Sequence, residues 1–281
     1  SGWSVSMPDS DTVAIGSPFN IGNGIRSGHV RVFRWNGVAW IQKGLDIEGD
    51  VSYAFSGQAV SMPDSNTIAI GSPFFNTVLN DEGKVKVFHW NGVAWIQKGN
   101  DIIGESWNDN FGWSISMQDT NVLAIGGPSN DGGNRNNTGH VRVYQWSGTN
   151  WVQKGLDIDG ESIEDASGIS ISMPNENTLL IGAANNDGNG LNSGHARVFD
   201  WVNSSWIQRG QDIDGEAAGD NFGISVSMTS NNYILVGAYN NDGNGTNAGH
   251  TRVYKWNGLN WSQVGIDIDG EFSDDRFGGS V

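Results

Sequence analysis

The chain has 281 residues, among them 41 glycines and 13 tryptophans but no cysteine, and its 31 acids against 15 bases give a net charge of −16. That balance excludes a nucleic-acid partner, because phosphate contacts need a basic face. The missing cysteines exclude disulfides and thiolate metal sites, and no apolar run approaches the roughly 18 residues of a membrane-inserted helix.

The first predicted strand carries Val5 and Met7 and ends in the turn Pro8-Asp9-Ser10-Asp11. A second follows at Val13 and Ile15, then a loop rich in glycine and asparagine, then a third strand at Val30 and Val32. The segment Trp35 to Trp40, WNGVAW, is a hairpin, since its glycine can take positive φ inside a short polar loop. A fourth strand starts at Trp40 and extends towards Ile47, before an acidic loop. These runs are short, rich in β-branched and aromatic residues, and bounded by Gly, Pro, Asn and Asp, as strands are. No stretch keeps a 3.6-residue period.

The pattern then recurs. Trp35, Trp90, Trp146, Trp201 and Trp256 stand 55, 56, 55 and 55 residues apart. The copies run over 2–56, 57–111, 112–167, 168–222 and 223–277, and residues 278–281 begin a sixth. Four antiparallel strands per copy predict an all-β fold, a β-propeller of five blades in a single domain. A string of separate domains is disfavoured, because about 55 residues without disulfide or metal scarcely hold a core. Gly278 to Val281 duplicates Gly2 to Val5, so either a ring closes with a redundant tail or the chain is a slice of a longer array.

Three short elements carry a family resemblance. A Phe-Gly pair stands at Phe111-Gly112, Phe222-Gly223 and Phe277-Gly278. A Gly-x-Pro element stands at Gly16-Ser17-Pro18, Gly71-Ser72-Pro73 and Gly126-Gly127-Pro128, degrading to Gly182-Ala183-Ala184 and Gly237-Ala238-Tyr239. The next strand is Gly-x-Val-x-Val-aromatic at Gly28 to Phe33 and Gly139 to Tyr144. This resembles the FG-GAP repeats of integrin-like β-propellers, in the divergent form of large surface proteins of marine bacteria and algae. The resemblance implies extracellular binding or adhesion, with calcium held in blade loops. Those family loops lie between the first and second strands, where this chain has only the turn Pro8 to Thr12 and its equivalents, so no calcium ligand carries over.

A different loop could hold calcium. After the fourth strand come Asp157, Asp159, Glu161 and Asp165, then Asp212, Asp214, Glu216 and Asp220, then Asp267, Asp269, Glu271 and Asp275. Each set puts carboxylates at relative positions 1, 3, 5 and 9, around a glycine at position 4. Calcium takes six to eight oxygens, and crowded carboxylates repel unless something neutralises them. The first copy has Ala54 at the ninth place and the second Ile103 at the third. A solvated turn, or acids paired with strand cations, explains the loops equally. Arg31, Lys86, Arg142, Arg197 and Arg252 recur in the third strand as faithfully as Asp46, Asp101, Asp157, Asp212 and Asp267 recur after the fourth. We expect these two series to pair, because a covered cation needs a carboxylate. Asn185-x-Asp187-x-Asn189-Gly190 and Asn240-x-Asp242-x-Asn244-Gly245 open like a calcium loop, but each has one carboxylate and reads better as an Asx turn.

His29, His140, His195 and His250 open the third strand in four copies, with Lys84 in the other, dispersed as structural residues would be. Tryptophan pairs flank every hairpin, and Trp151, Trp206 and Trp261 are candidate sugar-stacking platforms as well as packing residues. Trp3, Trp107 and Trp113 break the repeat. The chain has no cysteine nucleophile and none of the familiar catalytic or phosphate-loop motifs. Its polar chemistry recurs blade by blade, so the expectation is a non-catalytic binding or adhesion module stabilised by cations, which the acidic balance and the resemblance place outside the cell. Its partner would be a protein or a glycan surface; a lectin or a spacer in a larger surface protein are the alternatives.

Overall fold

The structure, a computed structural model, describes residues 1–76, 81–131, 136–230 and 232–281. Among the described residues twenty-five strands form five antiparallel sheets. The first sheet has β1 (Ser4–Asp9), β2 (Thr12–Ser17), β3 (His29–Trp35), β4 (Trp40–Gln42) and β5 (Ile47–Glu48). The second has β6 (Val60–Asp64), β7 (Thr67–Ser72), β8 (Lys84–Trp90), β9 (Trp95–Gln97) and β10 (Ile102–Ile103). The third has β11 (Ser114–Asp119), β12 (Val122–Gly127), β13 (His140–Trp146), β14 (Trp151–Gln153) and β15 (Ile158–Asp159). The fourth has β16 (Ser170–Asn175), β17 (Thr178–Ala183), β18 (His195–Val202), β19 (Ser205–Gln208) and β20 (Ile213–Asp214). The fifth has β21 (Ser225–Ser230), β22 (Tyr233–Ala238), β23 (His250–Trp256), β24 (Trp261–Gln263) and β25 (Ile268–Asp269).

The order within a sheet is β1-β2-β3-β4, and β5 pairs back onto β3. The expected fourth strand is therefore broken in two. β4 pairs with the end of β3 (Trp35↔Trp40) and β5 with its start (His29↔Glu48). The break falls at Gly44, whose φ of 83° turns the chain out of the ladder.

Local chemistry explains the turns. Register slips between Ser6 and Asp9, and again between Ser61 and Asp64. Pro8 and Pro63 sit in these bulges, where a residue without an N–H costs no ladder bond. Asp9 and Asp64 then accept the amides of Asp11 and Asn66 at 2.8 and 2.7 Å, an Asx turn. In the hairpin Asn36 Oδ1 accepts the amides of Val38 and Ala39 at 2.9 and 2.8 Å, and Gly37 takes a φ of 94°.

By contact the chain divides into two compact units, Ser1–Asn130 with Val143–Lys154, and Asp131–Arg142 with Gly155–Val281. In the first unit, Ala14, Val30, Val32 and Ile47 of the first blade pack on Val60, Met62, Ile68 and Ile70 of the second. Ala69, Val85, Val87 and Ile102 then pack on Phe111, Met117, Leu123 and Ile125 in the same way. In the second unit, Leu180, Ala196, Val198 and Ile213 cover Phe222, Val226, Met228 and Ile234. Successive glycines meet at these junctions: a Cβ on Gly16 would overlap the carbonyl oxygen of Gly57, and one on Gly237 that of Gly278. Among the described residues no helix is long and apolar enough to cross a membrane.

Candidate functional site

The third strand of each blade begins with His or Lys and carries Arg or Lys two residues on. Alternation puts both on one face, and the following loop returns its first aspartate to that face. Arg31 Nε and Nη2 donate to Asp46 at 2.9 and 2.8 Å, and Arg142 to Asp157 at 3.0 and 2.7 Å. Arg252 donates to Asp267 at 2.8 and 2.6 Å. The guanidinium holds the carboxyls of Asp46 and Asp267 below the usual range, helped by Gln42 and Gln263. The expected pairing thus holds in these three blades and is corrected in two. In the second blade Lys86 turns to Asp50 at 2.7 Å, and Lys84 takes Asp101 at 3.0 Å. In the fourth, Arg197 lies 3.3 Å from Glu161 and donates to the Asp159 carbonyl at 2.8 Å, while Asp212 accepts from Gln208 at 2.6 Å.

The acidic loops divide their carboxylates among different tasks. Position five reaches forward to the next blade: Asp50 pairs with Lys84 and Lys86, Glu161 with Arg197, and Glu216 with Arg252. Position nine caps its own loop. Asp165 accepts the amides of Glu161 and Ser162 at 3.0 and 2.7 Å, Asp220 that of Ala217 at 3.2 Å, and Asp275 that of Phe272 at 2.8 Å. Asp109 does the same for Glu105 and Ser106 at 2.9 and 2.8 Å, and burial pushes its carboxyl up to about 6 despite those bonds. Position three (Asp159, Asp214, Asp269) is exposed, in register with His140, His195 and His250.

Within single units three groups still converge within 4.8 Å: His29 with Asp46 and Glu48, His195 with Glu161 and Asp212, and His250 with Glu216 and Asp267. Among the described residues no such group unites three carboxylates of one loop. The donors fit calcium poorly. Each group offers one imidazole and two carboxylates, whereas calcium wants six to eight oxygens. Arg31, Arg197 and Arg252 already bind carboxylates of the three groups. Burial, and then the adjacent Arg197, lowers His195 to about 4; burial and then Arg252 also hold His250 below the usual imidazole range. The Asn-rich loops are self-satisfied: Asp187 and Asp242 accept the amides of Asn192 and Asn247 at 2.8 Å, the Asx-turn reading.

The hairpin tryptophans divide as well. Trp151 and Trp261 are buried, and their indole N–H groups donate to the carbonyls of Lys98 and Arg209 at 2.9 Å, which makes them packing residues. Trp206 instead lines a cleft of about 300 Å³ with Leu156, Asp157, Arg197 and Phe199. A second cleft, of about 660 Å³, lies at the equivalent place in the first unit, between Leu45, Asp46, Lys86, Phe88 and Trp95. Leu45 and Leu156 stand almost fully exposed on the two rims, beside the break between β4 and β5 and its third-blade equivalent. The sequence pointed to Trp206 and to Trp95 as a member of its hairpin pair; Phe88 and Phe199 went unnoticed, though each falls at a fixed place in the repeat.

Trp3 and Trp113 bracket a further feature of the first unit. Trp3, Phe19, Phe55, Phe74 and Trp113 form an edge-to-face ladder with successive centroids 5.3, 5.4, 5.0 and 6.1 Å apart. Trp3 and Phe19 are half exposed.

Comparison with known proteins agrees with this architecture. Residues 213–254 match the model of the FG-GAP repeat. No curated protein sequence matches the chain. A Bacteroides uniformis protein assigned as a 6-phosphogluconolactonase superposes with a TM-score of 0.63 at 9% identity, over 95% of this chain and 71% of that one. The periplasmic gluconolactonase of Pseudomonas aeruginosa gives 0.56 at 13% identity, over 94% and 72%. The SapL1 lectin, in complex with α-methyl fucoside, gives 0.53 at 12% identity, over 94% and 79%. At such identities the likeness concerns fold alone. Five antiparallel sheets on a 55-residue period give the chain a β-propeller fold, and the stretch from β20 to β23 is similar to the FG-GAP repeat.

Proposed function

We propose that the chain is a non-catalytic binding module that works outside the cell and meets a protein or glycan surface through features repeated from blade to blade. The observation that carries this is the recurrence of one cleft. Its wall is Trp95 or Trp206, its floor Phe88 or Phe199, and its polar edge Asp46 with Lys86 or Asp157 with Arg197. Repeated weak sites on one scaffold gain avidity against a repetitive surface, whereas catalysis calls for unlike groups converging once. The acidic loops are read as structural, neutralised by the chain's own cations, so calcium and chelator should leave the thermal melt unchanged.

A second reading, a lectin, is favoured by the same cleft. An aromatic wall suits the apolar face of a pyranose, and a carboxylate beside a cation suits its hydroxyls. A glycan array of the wild type and of Trp206→Ala with Trp95→Ala tests both. Loss of sugar binding in the variant supports the lectin. Absence of sugar binding in the wild type leaves a protein surface as the ligand. Turnover of a lactone or glycoside lost in the same variant would overturn the non-catalytic reading.

A further inference from the structure

Two sets of three side chains in the second unit are built alike and neutralised differently. Each joins the histidine that opens a third strand, position five of the loop before it and position one of the loop after it. The sets are His250 with Glu216 and Asp267, and His195 with Glu161 and Asp212. In the fifth blade the fork of Arg252 bridges the two carboxylates, Nη2 donating to Glu216 and, at 2.6 Å, to Asp267. In the fourth the same cation is turned aside. Arg197 Nη1 lies 3.3 Å from Glu161 Oε1, Nη2 donates to the Asp159 carbonyl at 2.8 Å, and the guanidinium sits 5.4 Å from the centre of the Phe199 ring. Its Nε is buried with no hydrogen-bond partner. No cation among the described residues reaches Asp212, whose one hydrogen bond there comes from Gln208 Nε2 at 2.6 Å.

A buried imidazole faces this gap. His195 is 1% exposed, and its Nε2 has no hydrogen-bond partner. Its Nδ1 lies 3.9 Å from Glu161 Oε2, beyond hydrogen-bonding reach. Nδ1 therefore points at the carboxylate oxygen opposite the one that Arg197 approaches. One donor atom from each of His195, Glu161 and Asp212 falls within 4.8 Å of the others. Burial keeps the imidazole neutral at neutral pH, so it has no proton to lose before it can act as a ligand. The carboxylates are short of positive charge. Burial raises Glu161 and Asp214, Asp212 pushes both higher, and Arg197 offsets only part of this at Glu161.

We propose that His195, Glu161 and Asp212 bind one divalent transition-metal ion of the zinc class, in the place that the Arg252 fork fills one blade on. One imidazole and two carboxylates, with water as a fourth ligand, suit zinc, whereas calcium asks for six to eight oxygens. Bonds of about 2 Å put neighbouring ligand atoms about 3.3 Å apart, so the set has to close by roughly an ångström. Glu161 has room to do so, since 42% of its side chain is exposed, and the same exposure lets an ion in from solvent. Arg197 stays beside Glu161 and holds the affinity to the micromolar range, so a chelator alone leaves metal-free protein as it was. None of the three ligands lines the aromatic cleft, and the site does not depend on what that cleft binds.

Calorimetric titration of zinc chloride into metal-stripped protein, with thermal melts alongside, tests this with the wild type, Asp212→Asn, His195→Gln and Asp269→Asn. The wild type should take up one equivalent of zinc and melt at a higher temperature with it, and EDTA should reverse the shift. Calcium should do neither. Asp212→Asn can still accept from Gln208, so its metal-free melt should match the wild type while the one-equivalent heat disappears. His195→Gln should lose that heat as well; if it melts too low to titrate, Asp212→Asn decides alone. Asp269→Asn removes an exposed acid of the next loop and should bind as the wild type does. A wild type that takes up no zinc, an Asp212→Asn variant that still takes up its equivalent, or equal loss in Asp269→Asn, the mark of diffuse attraction to acids, would each overturn the proposal.

Discussion

Two junctions in the molecule present carboxylates from the same two loop positions and neutralise them differently. In the first unit, Asp50 and Asp101 meet two ammonium groups: Lys86 takes Asp50, and the buried Lys84 takes Asp101 and shares Asp50. In the second, Glu216 and Asp267 are both held by the single fork of Arg252, and His250 stays a buried, neutral neighbour. A guanidinium offers five donors in a plane and can grip two carboxylates, while an ammonium is a point charge. Where the third strand has Lys in place of Arg, the position two residues earlier changes from His to Lys. The pair of positions acts as one unit that must deliver enough cation for two acids.

The largest way to break this equivalence is Lys84→Met. It strands the Asp101 carboxylate, leaves Asp50 to Lys86 alone, and should cost about 4 kcal/mol in urea denaturation. The double change Lys84→His with Lys86→Arg, which copies the other junction, should restore most of that; a double variant as unstable as the single would sink the exchange argument. A second separation is in pH. Above pH 6.5 His195 is neutral folded or unfolded. Below it the unfolded chain takes a proton that the folded site refuses until about pH 4. Stability should therefore fall through that window by up to about 3 kcal/mol, and His195→Gln should remove that share of the slope. Next comes Arg252→Lys, which breaks the fork, leaves one of Glu216 and Asp267 unmet, and should cost about 2 kcal/mol by the same denaturation. Smallest is Arg31→Lys at the exposed first junction, where the melting temperature should not move.

The fold was legible because its signals are local and repeated. Proline at a bulge, asparagine and glycine in a hairpin, and a tryptophan every 55 residues each name a turn or a strand within a few positions. The broken fourth strand was only half visible, since β4 and β5 pair with opposite ends of one strand across a short exposed loop. The Arg–Asp series was readable from its once-per-blade recurrence, but the forward reach of Glu161 and Glu216 was not, because it joins residues 36 apart in different blades. The tryptophans make the same point. Trp151 and Trp206 occupy one place in the repeat, yet the first is sealed under a neighbour and the second walls a cleft. Exposure belongs to what stands alongside, and a motif is silent about that.

The contact between Gly16 and Gly57, renewed between Gly237 and Gly278, has a consequence for how such chains change over time. Backbone touches backbone there with no room for a side chain, so the fit does not depend on which neighbour's side chains are present. Every copy brings both halves of the lock. Duplicating or deleting one whole copy leaves all remaining locks matched, while an insertion of any other length throws the glycines out of step. Lineages of this architecture should therefore vary in size by whole multiples of the unit, with drift between units confined to the loops.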